Sequence, residues 1–190
     1  MSLPRLKAPE WSEVIAGKWL ASKLDEHGLR TSARLNTVQP RQTLPMGAFR
    51  LEFMRVAHSV VDGVGMAIDT PYGLIVHTGD FKIDRNPLDG HATDLKSFEK
   101  FSKDGVTLLL SDSTNVEKEG HTISAQEIGS ELSRITDAAN GRIIVALFAS
   151  NIARIQQIVN IAQTRGRKII FNGRSIEVSV SIARKLGYLK

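Results

Sequence analysis

The chain has 190 residues, of which 25 are Lys or Arg, 20 are Asp or Glu and none is Cys. Hydrophobic residues make up 42% and charged residues 24%, which is the balance of a globular chain and excludes a disordered one. The lack of cysteine excludes a disulfide framework, a thiolate zinc site and a cysteine nucleophile. No apolar run approaches the roughly 20 residues that span a bilayer, and no signal-peptide pattern opens the chain, so we expect a cytoplasmic protein without a membrane partner.

The first half of the chain predicts one helix followed by short strands. Apolar residues recur at helical spacing over 11–27. The period then changes, and short apolar or alternating runs, separated by turn signals, occupy 33–38, 48–57, 64–69 and 74–78. This pattern predicts an antiparallel sheet in which 64–69 and 74–78 form a hairpin. The turn-rich segment 84–94 predicts a connection between two units.

In the second half, predicted strands alternate with predicted helices. Continuous apolar runs, which are typical of strands buried on both faces, occupy 106–110, 142–148 and 168–171. Helical patterns follow them over 124–139, 151–164 and 175–186. The first helix opens with a capping box formed by Ser124 and Glu127. The alternation of strand and helix predicts a parallel α/β sheet.

Each predicted strand of the second half ends in a polar cluster. Because the carboxyl ends of parallel strands lie at one edge of a sheet, we expect these clusters to lie close together. Their hydroxyl, amide and guanidinium groups suit phosphate oxygens. Helix capping is the alternative role for Ser150, Asn151 and Ser175, which are good N-cap residues whatever binds nearby. The candidate phosphate-binding residues are Ser113, Thr114, Asn115, Ser150, Asn151, Arg154, Arg174 and Ser175.

Basic charge is concentrated near the end of the sequence. The formal net charge is +5, and residues 141–190 hold nine basic residues and one acidic residue. A basic segment of this kind is typical of a surface that binds a polyanion, and a solvated basic face is the alternative. The segment has few aromatic residues, so it does not predict base stacking. No GxxxxGK[ST] or GxGxxG loop occurs, which argues against a P-loop nucleotide enzyme.

Two candidate metal ligands stand at the ends of predicted strands. His58 follows an apolar run that ends at Ala57, and Asp80 follows the run over 74–78. A histidine and an aspartate at adjacent strand ends could bind one metal ion or bridge two. A catalytic zinc usually has three protein ligands, so the residue types alone leave a strand-end histidine without metal as the alternative.

Three segments closely resemble ribonuclease J, a nuclease family with the metallo-β-lactamase fold and a beta-CASP insertion. They are AHSVVDGVG at 57–65, GLIVHTGDFK at 73–82 and LSDSTN at 110–115. Three shorter segments fit the family as well: FASNI at 148–152 with Arg154, GRS at 173–175 and ARKLGYLK at 183–190. The resemblance runs in order from about residue 20 to the end of the sequence.

The resemblance implies a dinuclear metal centre that hydrolyses RNA phosphodiester bonds, either internally or from the 5′ end. Zinc is the expected metal, with manganese or magnesium as alternatives. His58 corresponds to a metal-binding histidine, and Asp80 to the aspartate that bridges both metals. Asp112 corresponds to the first acidic residue of the beta-CASP type, which orients a histidine of the catalytic site. Asp80 and Asp112 are therefore the expected catalytic residues, and the phosphate-binding candidates are expected to line the RNA path of a homo-oligomeric enzyme.

The resemblance also implies an α/β fold in two parts. Residues 1–90 are expected to form part of a metallo-β-lactamase β-sandwich with α/β elements, and residues 91–190 part of a parallel-sheet beta-CASP α/β domain. The first metal motif of the family, HxHxDH, and the histidines after the insertion do not occur in the sequence. We therefore expect an internal piece of a longer nuclease that binds little or no metal alone and does not cleave RNA alone.

Two alternatives remain open at this stage. The first is a non-catalytic RNA-binding or assembly module with the same fold. The second is a small-molecule hydrolase of the same superfamily, which agrees less well with the basic segment over 141–190.

Overall fold

The structure is a computed structural model that describes residues 21, 24–25, 27–32, 38–60 and 62–190. The chain divides into two compact units, Met1–Gln39 and Pro40–Lys190. The described part of the first unit contains a short 3-10 helix, Arg30–Ser32. The predicted helix over 11–27 and the predicted strand over 33–38 fall largely outside the described residues.

The second unit contains a five-stranded sheet whose strands lie side by side in chain order. The first four strands pair antiparallel, and the fifth pairs parallel to the fourth. The predicted hairpin is confirmed, since Thr70 pairs with Gly73 and its hydroxyl donates to the Gly73 carbonyl at 2.8 Å. The strands are β1 (Thr43–Met46), β2 (Phe49–Arg55), β3 (Val64–Thr70), β4 (Gly73–His77) and β5 (Leu108–Leu110).

A helix that the sequence analysis did not predict covers one face of this sheet. It is α1 (Leu95–Asp104), and it begins where the turn-rich segment ends. Asp94 caps it, because the Asp94 carboxylate accepts from the Ser97 N–H and from the Ser97 hydroxyl. Phe101 of this helix packs with three sheet residues in the hydrophobic core, which consists of Met54, Ala67, Val76 and Phe101.

Three further helices confirm the predicted helical segments of the second half. They are α2 (Ala125–Ala138), α3 (Ile152–Thr164) and α4 (Arg174–Leu186). The predicted capping box of α2 is present, with Ser124 and Glu127 bonded to each other's backbone N–H. α2 and α3 pack closely, since a Cβ added at Gly129 would lie 1.8 Å from the Gln157 amide nitrogen.

The two predicted parallel strands over 142–148 and 168–171 do not form. Both segments lack strand pairing. They line a common cavity of about 1190 Å³ together with α2, α3 and the start of α4. Apolar side chains of both segments are exposed, Ile144 to 95% and Ile170 to 89%, so neither segment has the covered faces of a buried parallel strand. The described part of the sheet therefore contains one parallel pair, β4 with β5.

The α/β fold class is confirmed by this mixed sheet together with the four described helices. The proposed division between residues 90 and 91 stays a prediction. No helix in the described part of the chain is long and apolar enough to cross a membrane.

Candidate active site

A bridge between two loops brings the two candidate metal ligands to the same end of the sheet. Ala57 and Lys82 pair antiparallel outside the named strands, and the Lys82 N–H donates to the Ala57 carbonyl at 2.8 Å. The Thr93 hydroxyl reinforces the bridge, since it accepts from the Ala57 N–H and donates to the Lys82 carbonyl, both at 2.9 Å. His58 directly follows the first bridge residue. Asp80 precedes the second by two positions, so the bridge holds both loops together.

The turn before Asp80 has a tightly defined backbone. Gly79 has a φ of +63°, and a Cβ at this position would lie 2.7 Å from the Val64 carbonyl oxygen. Only glycine combines that backbone conformation with so close an approach. The Gly79 N–H donates to Nδ1 of His77 at 3.0 Å. The Asp80 side chain is exposed, while His58 is half-buried with its Nε2 3.3 Å from the Ser59 hydroxyl.

Asp112 lies against this turn from the end of β5. Its N–H donates to the Thr78 hydroxyl at 3.0 Å. Its carboxylate accepts from the Thr114 hydroxyl at 2.6 Å and from the Thr114 N–H at 3.0 Å. These two bonds, with smaller contributions from the Phe81 N–H and the nearby His58, hold the pKa of Asp112 below its ordinary value. The carboxylate is thus kept ionised and available as a hydrogen-bond acceptor.

The two candidate metal ligands do not form a complete metal site within the described residues. Among them, no group of three or more His, Cys, Asp and Glu side chains is arranged so that it could hold a metal ion. His58 and Asp80 offer an imidazole nitrogen and a carboxylate, which are ligand types that zinc and manganese accept. A catalytic zinc usually takes three protein ligands, so this donor set fits only part of the dinuclear centre that the resemblance implies.

The first cluster of candidate phosphate-binding residues adjoins the same loops. Ser113, Thr114 and Asn115 follow Asp112 directly and are exposed. Their backbone forms turns, in which the carbonyls of Ser113 and Asn115 accept from the N–H groups of Val116 and Lys118. This cluster lies where the sequence analysis expected it, at the carboxyl end of a parallel strand.

The second cluster has structural roles at the start of α3. The Asn151 side chain caps the helix by accepting from the Arg154 N–H at 3.1 Å, so the capping alternative is confirmed for Asn151. Ser150 does not cap α3 with its side chain. The Arg154 guanidinium donates to Gln157 Oε1 at 2.5 Å and to the Ala125 carbonyl at 3.4 Å. Burial lowers the pKa of Arg154, and the group serves the contact between α2 and α3.

The third cluster lies at the start of α4. Arg174 is the first residue of the helix, Gly173 is its N-cap and no side chain caps it. The capping alternative is therefore wrong for Ser175, which lies in the first helical turn. Arg174 and Ser175 are both exposed. Because 142–148 and 168–171 do not join the sheet, the second and third clusters do not follow strands of that sheet as predicted.

Two buried residues that the sequence analysis missed hold these loops in place. Thr78 links β4 to Asp112, and Asp84 links the loop after Lys82 to α2. The Asp84 carboxylate accepts from Lys82 Nζ at 2.9 Å, the Asn86 N–H at 3.0 Å and the Ala125 N–H at 3.1 Å. Thr78 directly precedes the GDFK segment at 79–82 and Asp84 follows it by two positions, and this proximity is the signal that could have drawn attention to them.

The basic segment over 141–190 divides into structural and exposed cations. Arg165 binds both carboxylate oxygens of Asp137. Arg167 donates to carbonyls at the end of α2, among them that of Gly141 at 2.9 Å. Those two arginines and Arg154 stabilise helix packing. The remaining six cations of the segment are exposed: Arg142, Lys168, Arg174, Arg184, Lys185 and Lys190.

Comparison with known proteins gives a consistent match. The model of the ribonuclease J beta-CASP domain matches residues 140–190. The chain is 44% identical over 173 residues to ribonuclease J of Thermus thermophilus, which covers 90% of this chain and 30% of that protein. It is 40% identical to ribonuclease J of Helicobacter pylori J99, over 97% of this chain and 27% of that protein.

A third relative is less similar to this chain. Ribonuclease J2 of Bacillus subtilis is 35% identical over 188 residues, which cover 99% of this chain and 34% of that protein. The chain thus spans between about a quarter and a third of the length of the curated relatives it matches. A solved structure, a protein of unknown function from Enterococcus faecalis V583, matches 80% of this chain and 38% of its own at a TM-score of 0.56 and 14% identity. That likeness concerns the fold alone.

Proposed function

Because the chain belongs to the ribonuclease J family, we propose that it forms part of a metal-dependent ribonuclease. The reaction is hydrolysis of RNA phosphodiester bonds, by internal cleavage, by degradation from the 5′ end, or both. The metal ligands in this proposal are His58 and Asp80, and the catalytic residues are Asp80 and Asp112. One observation carries it: the Ala57–Lys82 bridge brings the loops of His58 and Asp80 together.

The bound group in the proposal is a pair of zinc ions, with manganese or magnesium as alternatives. Such ions lower the pKa of a water ligand and so supply the nucleophile. The chain itself contributes one imidazole and one carboxylate toward that pair. It also contributes Asp112, whose lowered pKa keeps it an ionised acceptor that can hold the N–H of a histidine in a fixed orientation.

RNA is the proposed partner, and its path follows the exposed polar and basic groups. Ser113, Thr114, Asn115, Arg174 and Ser175 are exposed and are proposed to contact phosphate oxygens. Ser150, Asn151 and Arg154 complete the proposed path, although the last two also stabilise α3 and its contact with α2. The six exposed cations of the basic segment supply the long-range attraction.

We further propose that the chain alone binds little metal and does not hydrolyse RNA, because its sequence lacks the HxHxDH motif. In this proposal residues 1–90 and 91–190 represent parts of the metallo-β-lactamase and beta-CASP domains of a cytoplasmic homo-oligomer. The exposed cations favour a second candidate for the chain by itself, an RNA-binding or assembly module without catalysis.

The test is a segment exchange in the Thermus thermophilus relative. The matching third of that ribonuclease J is replaced by this chain, which is 44% identical to it over 173 residues, and cleavage of 5′-labelled RNA is measured. The proposal predicts an active exchange protein. It also predicts that His58→Ala, Asp80→Asn and Asp112→Asn each lower kcat roughly ten- to a hundredfold, as loss of the groups that hold and orient a metal centre does.

Asp89→Asn is the matched control. Asp89 is an exposed loop aspartate that accepts from the His91 N–H, so its substitution removes the same charge outside the proposed site. Full activity of the Asp80→Asn protein, or equal losses in the Asp80 and Asp89 variants, would overturn the proposed roles. A folded exchange protein that binds RNA but never cleaves it would instead support the non-catalytic candidate.

A further inference from the structure

We propose that Thr78 is a positioning residue that holds Asp112 in register with the turn that carries Asp80. The proposal rests on the proposed function, because it explains how two halves of the same site are held together. Thr78 is the first residue after β4 and immediately precedes the Gly79 turn. It therefore stands between the strand that ends at the site and the loop that contributes a candidate ligand.

The Thr78 hydroxyl is buried and makes one hydrogen bond as donor and one as acceptor. The residue is 4% exposed. Its hydroxyl donates to the Gly79 carbonyl at 2.8 Å and accepts from the Asp112 N–H at 3.0 Å. Its own N–H donates to the Leu110 carbonyl at 3.0 Å. One side chain thus bonds both to the turn before Asp80 and to the backbone of Asp112, 34 positions later.

The hydroxyl takes the place of a main-chain acceptor. The bond from the Thr78 N–H to Leu110 continues the parallel ladder of β4 and β5 by one step. In an unbroken parallel ladder the Asp112 N–H would next donate to a carbonyl of the neighbouring strand. Here the left-handed turn at Gly79 ends the strand, and the Thr78 carbonyl lies close to Gly65 of β3 instead. The side chain supplies the missing acceptor.

This bond also fixes the backbone from which the Asp112 carboxylate extends. That carboxylate accepts from the Thr114 hydroxyl at 2.6 Å and from the Thr114 N–H at 3.0 Å. Asp112 is therefore attached to the Asp80 turn through Thr78, and to its own loop through Thr114.

The test compares Thr78→Val, which keeps the shape and removes the hydroxyl, with Thr78→Ser, which keeps the hydroxyl. Amide hydrogen exchange of the whole chain, free of metal and RNA, is followed residue by residue by NMR. We expect exchange at Asp112 to accelerate at least about tenfold in Thr78→Val, as for loss of a buried hydrogen bond. In Thr78→Ser the rate at Asp112 stays close to that of the unchanged chain.

Thr93→Val is the matched control. Thr93 is also buried, and its hydroxyl also accepts from one backbone N–H and donates to one carbonyl. Its loss should accelerate exchange at Ala57 and leave Asp112 unchanged. If Thr78→Val does not fold, Thr78→Ala, which leaves room for a water molecule, gives the same comparison.

Two results would overturn the proposal: unchanged exchange at Asp112, or equal acceleration at Val76 in the core. The last would show a general loss of stability. In the Thermus thermophilus relative that carries this chain, Thr78→Val should lower kcat with little change in KM, and Thr78→Ser should restore kcat. The amide hydrogen-exchange measurement needs neither metal nor RNA. If the Thermus thermophilus relative that carries this chain is inactive, the proposed function is contradicted, but the hydrogen-exchange result for Thr78 still stands.

Discussion

The Tyr188 hydroxyl donates a hydrogen bond to the Asp62 carboxylate, which lies 126 positions earlier in the chain. Asp62 has a φ of +60° in the loop that follows His58, and its other carboxylate oxygen lies 3.7 Å from the Arg55 guanidinium. Tyr188 directly follows the residue that caps the end of α4. The contact therefore attaches the end of α4 to the loop that carries a candidate metal ligand.

Tyr188→Phe should destabilise the fold by about 1 to 3 kcal/mol, because it leaves part of a charged carboxylate without its donor. Urea unfolding measures the loss, and Tyr72→Phe is the control because Tyr72 is 94% exposed. Burial, followed by the Asp62 contact, raises the pKa of Tyr188 above its ordinary value. The stabilisation should thus be complete below pH 10 and decline only as the pH rises further. Equal stability of the two variants would contradict this role for Tyr188.

Asp84→Asn should make the free energy of unfolding vary less with pH in the acid range. Hydrogen bonds from Lys82, Asn86 and Ala125 outweigh the opposing effect of burial and hold the pKa of Asp84 below its ordinary value. A carboxyl group whose pKa is lowered by folding stabilises the folded state at pH values above its ordinary pKa. This stabilisation is lost as the pH falls through the pKa of the group in the folded state. We expect the substitution to cost about 1 to 3 kcal/mol at pH 7 and less at pH 2.5.

The measurement for Asp84 is urea unfolding at several pH values between 2.5 and 7. Asp89→Asn, at an exposed position, is the control and should follow the unchanged chain at every pH. The Asp84 variant and the unchanged chain are compared by their free energies of unfolding. If the difference between them stays constant over this pH range, the Asp84 charge has no part in the effect.

Gly79→Ala should destabilise the chain more than Gly166→Ala, although both residues have nearly the same left-handed φ, +63° and +61°. An L-residue in that conformation costs about 1 to 2 kcal/mol, and this cost is common to both. Only at Gly79 would the new Cβ also meet a backbone atom, the Val64 carbonyl oxygen at 2.7 Å, while nothing lies within 4 Å at Gly166. Thermal unfolding of the two variants compares them directly, and equal shifts in Tm would show that the close approach is unimportant.

The proposed RNA binding should depend on the exposed cations of the basic segment. The salt dependence of the binding constant measures that contribution. Arg142, Lys168 and Arg174 are exposed and line the same cavity. Loss of one phosphate contact lowers the slope of log K against log salt by about 0.7 for single-stranded RNA. We expect that change for Lys168→Gln and for Arg174→Gln. Lys96→Gln, on the exposed side of α1, is the control, and an equal change there would mean that the attraction is not confined to the basic segment.

Elements with strong local signals were predicted from the sequence. The β3–β4 hairpin follows from its turn residues, and α2 follows from its capping box, because both signals act over a few residues. α1 was missed because its start lies at the end of a turn-rich segment, where the Asp94 cap looked like one more turn residue. The bond between Asp94 and Ser97 shows that the cap is the correct interpretation of that spacing.

The segment over 142–148 shows why strands are harder to predict than helices. Its apolar run agrees with a strand, and yet Ile144 and Phe148 are 95% and 83% exposed. A helix satisfies its own hydrogen bonds, whereas a strand needs a partner that the local sequence does not specify. The expected meeting of three polar clusters at one sheet edge depended on that partner.

The candidate site divides in the same way. The identities of His58, Asp80 and Asp112 were predicted from motifs that resemble a known family. The roles of Thr78 and Thr93 could not be predicted, because each hydroxyl bonds to a distant part of the chain. Thr78 accepts from Asp112, 34 positions away, and Thr93 accepts from Ala57, 36 positions away. Such pairings depend on the register of the folded loops and leave no periodic pattern in the sequence.

In the proposed function, this chain supplies part, and only part, of a dinuclear metal centre. The metal content per chain tests that proposal, by elemental analysis of protein purified without chelator or immobilised metal. We expect close to no zinc or manganese in the isolated chain. A content near two metal ions per chain, lost in Asp80→Asn, would disprove the proposal, because it would mean that the chain completes the centre by itself.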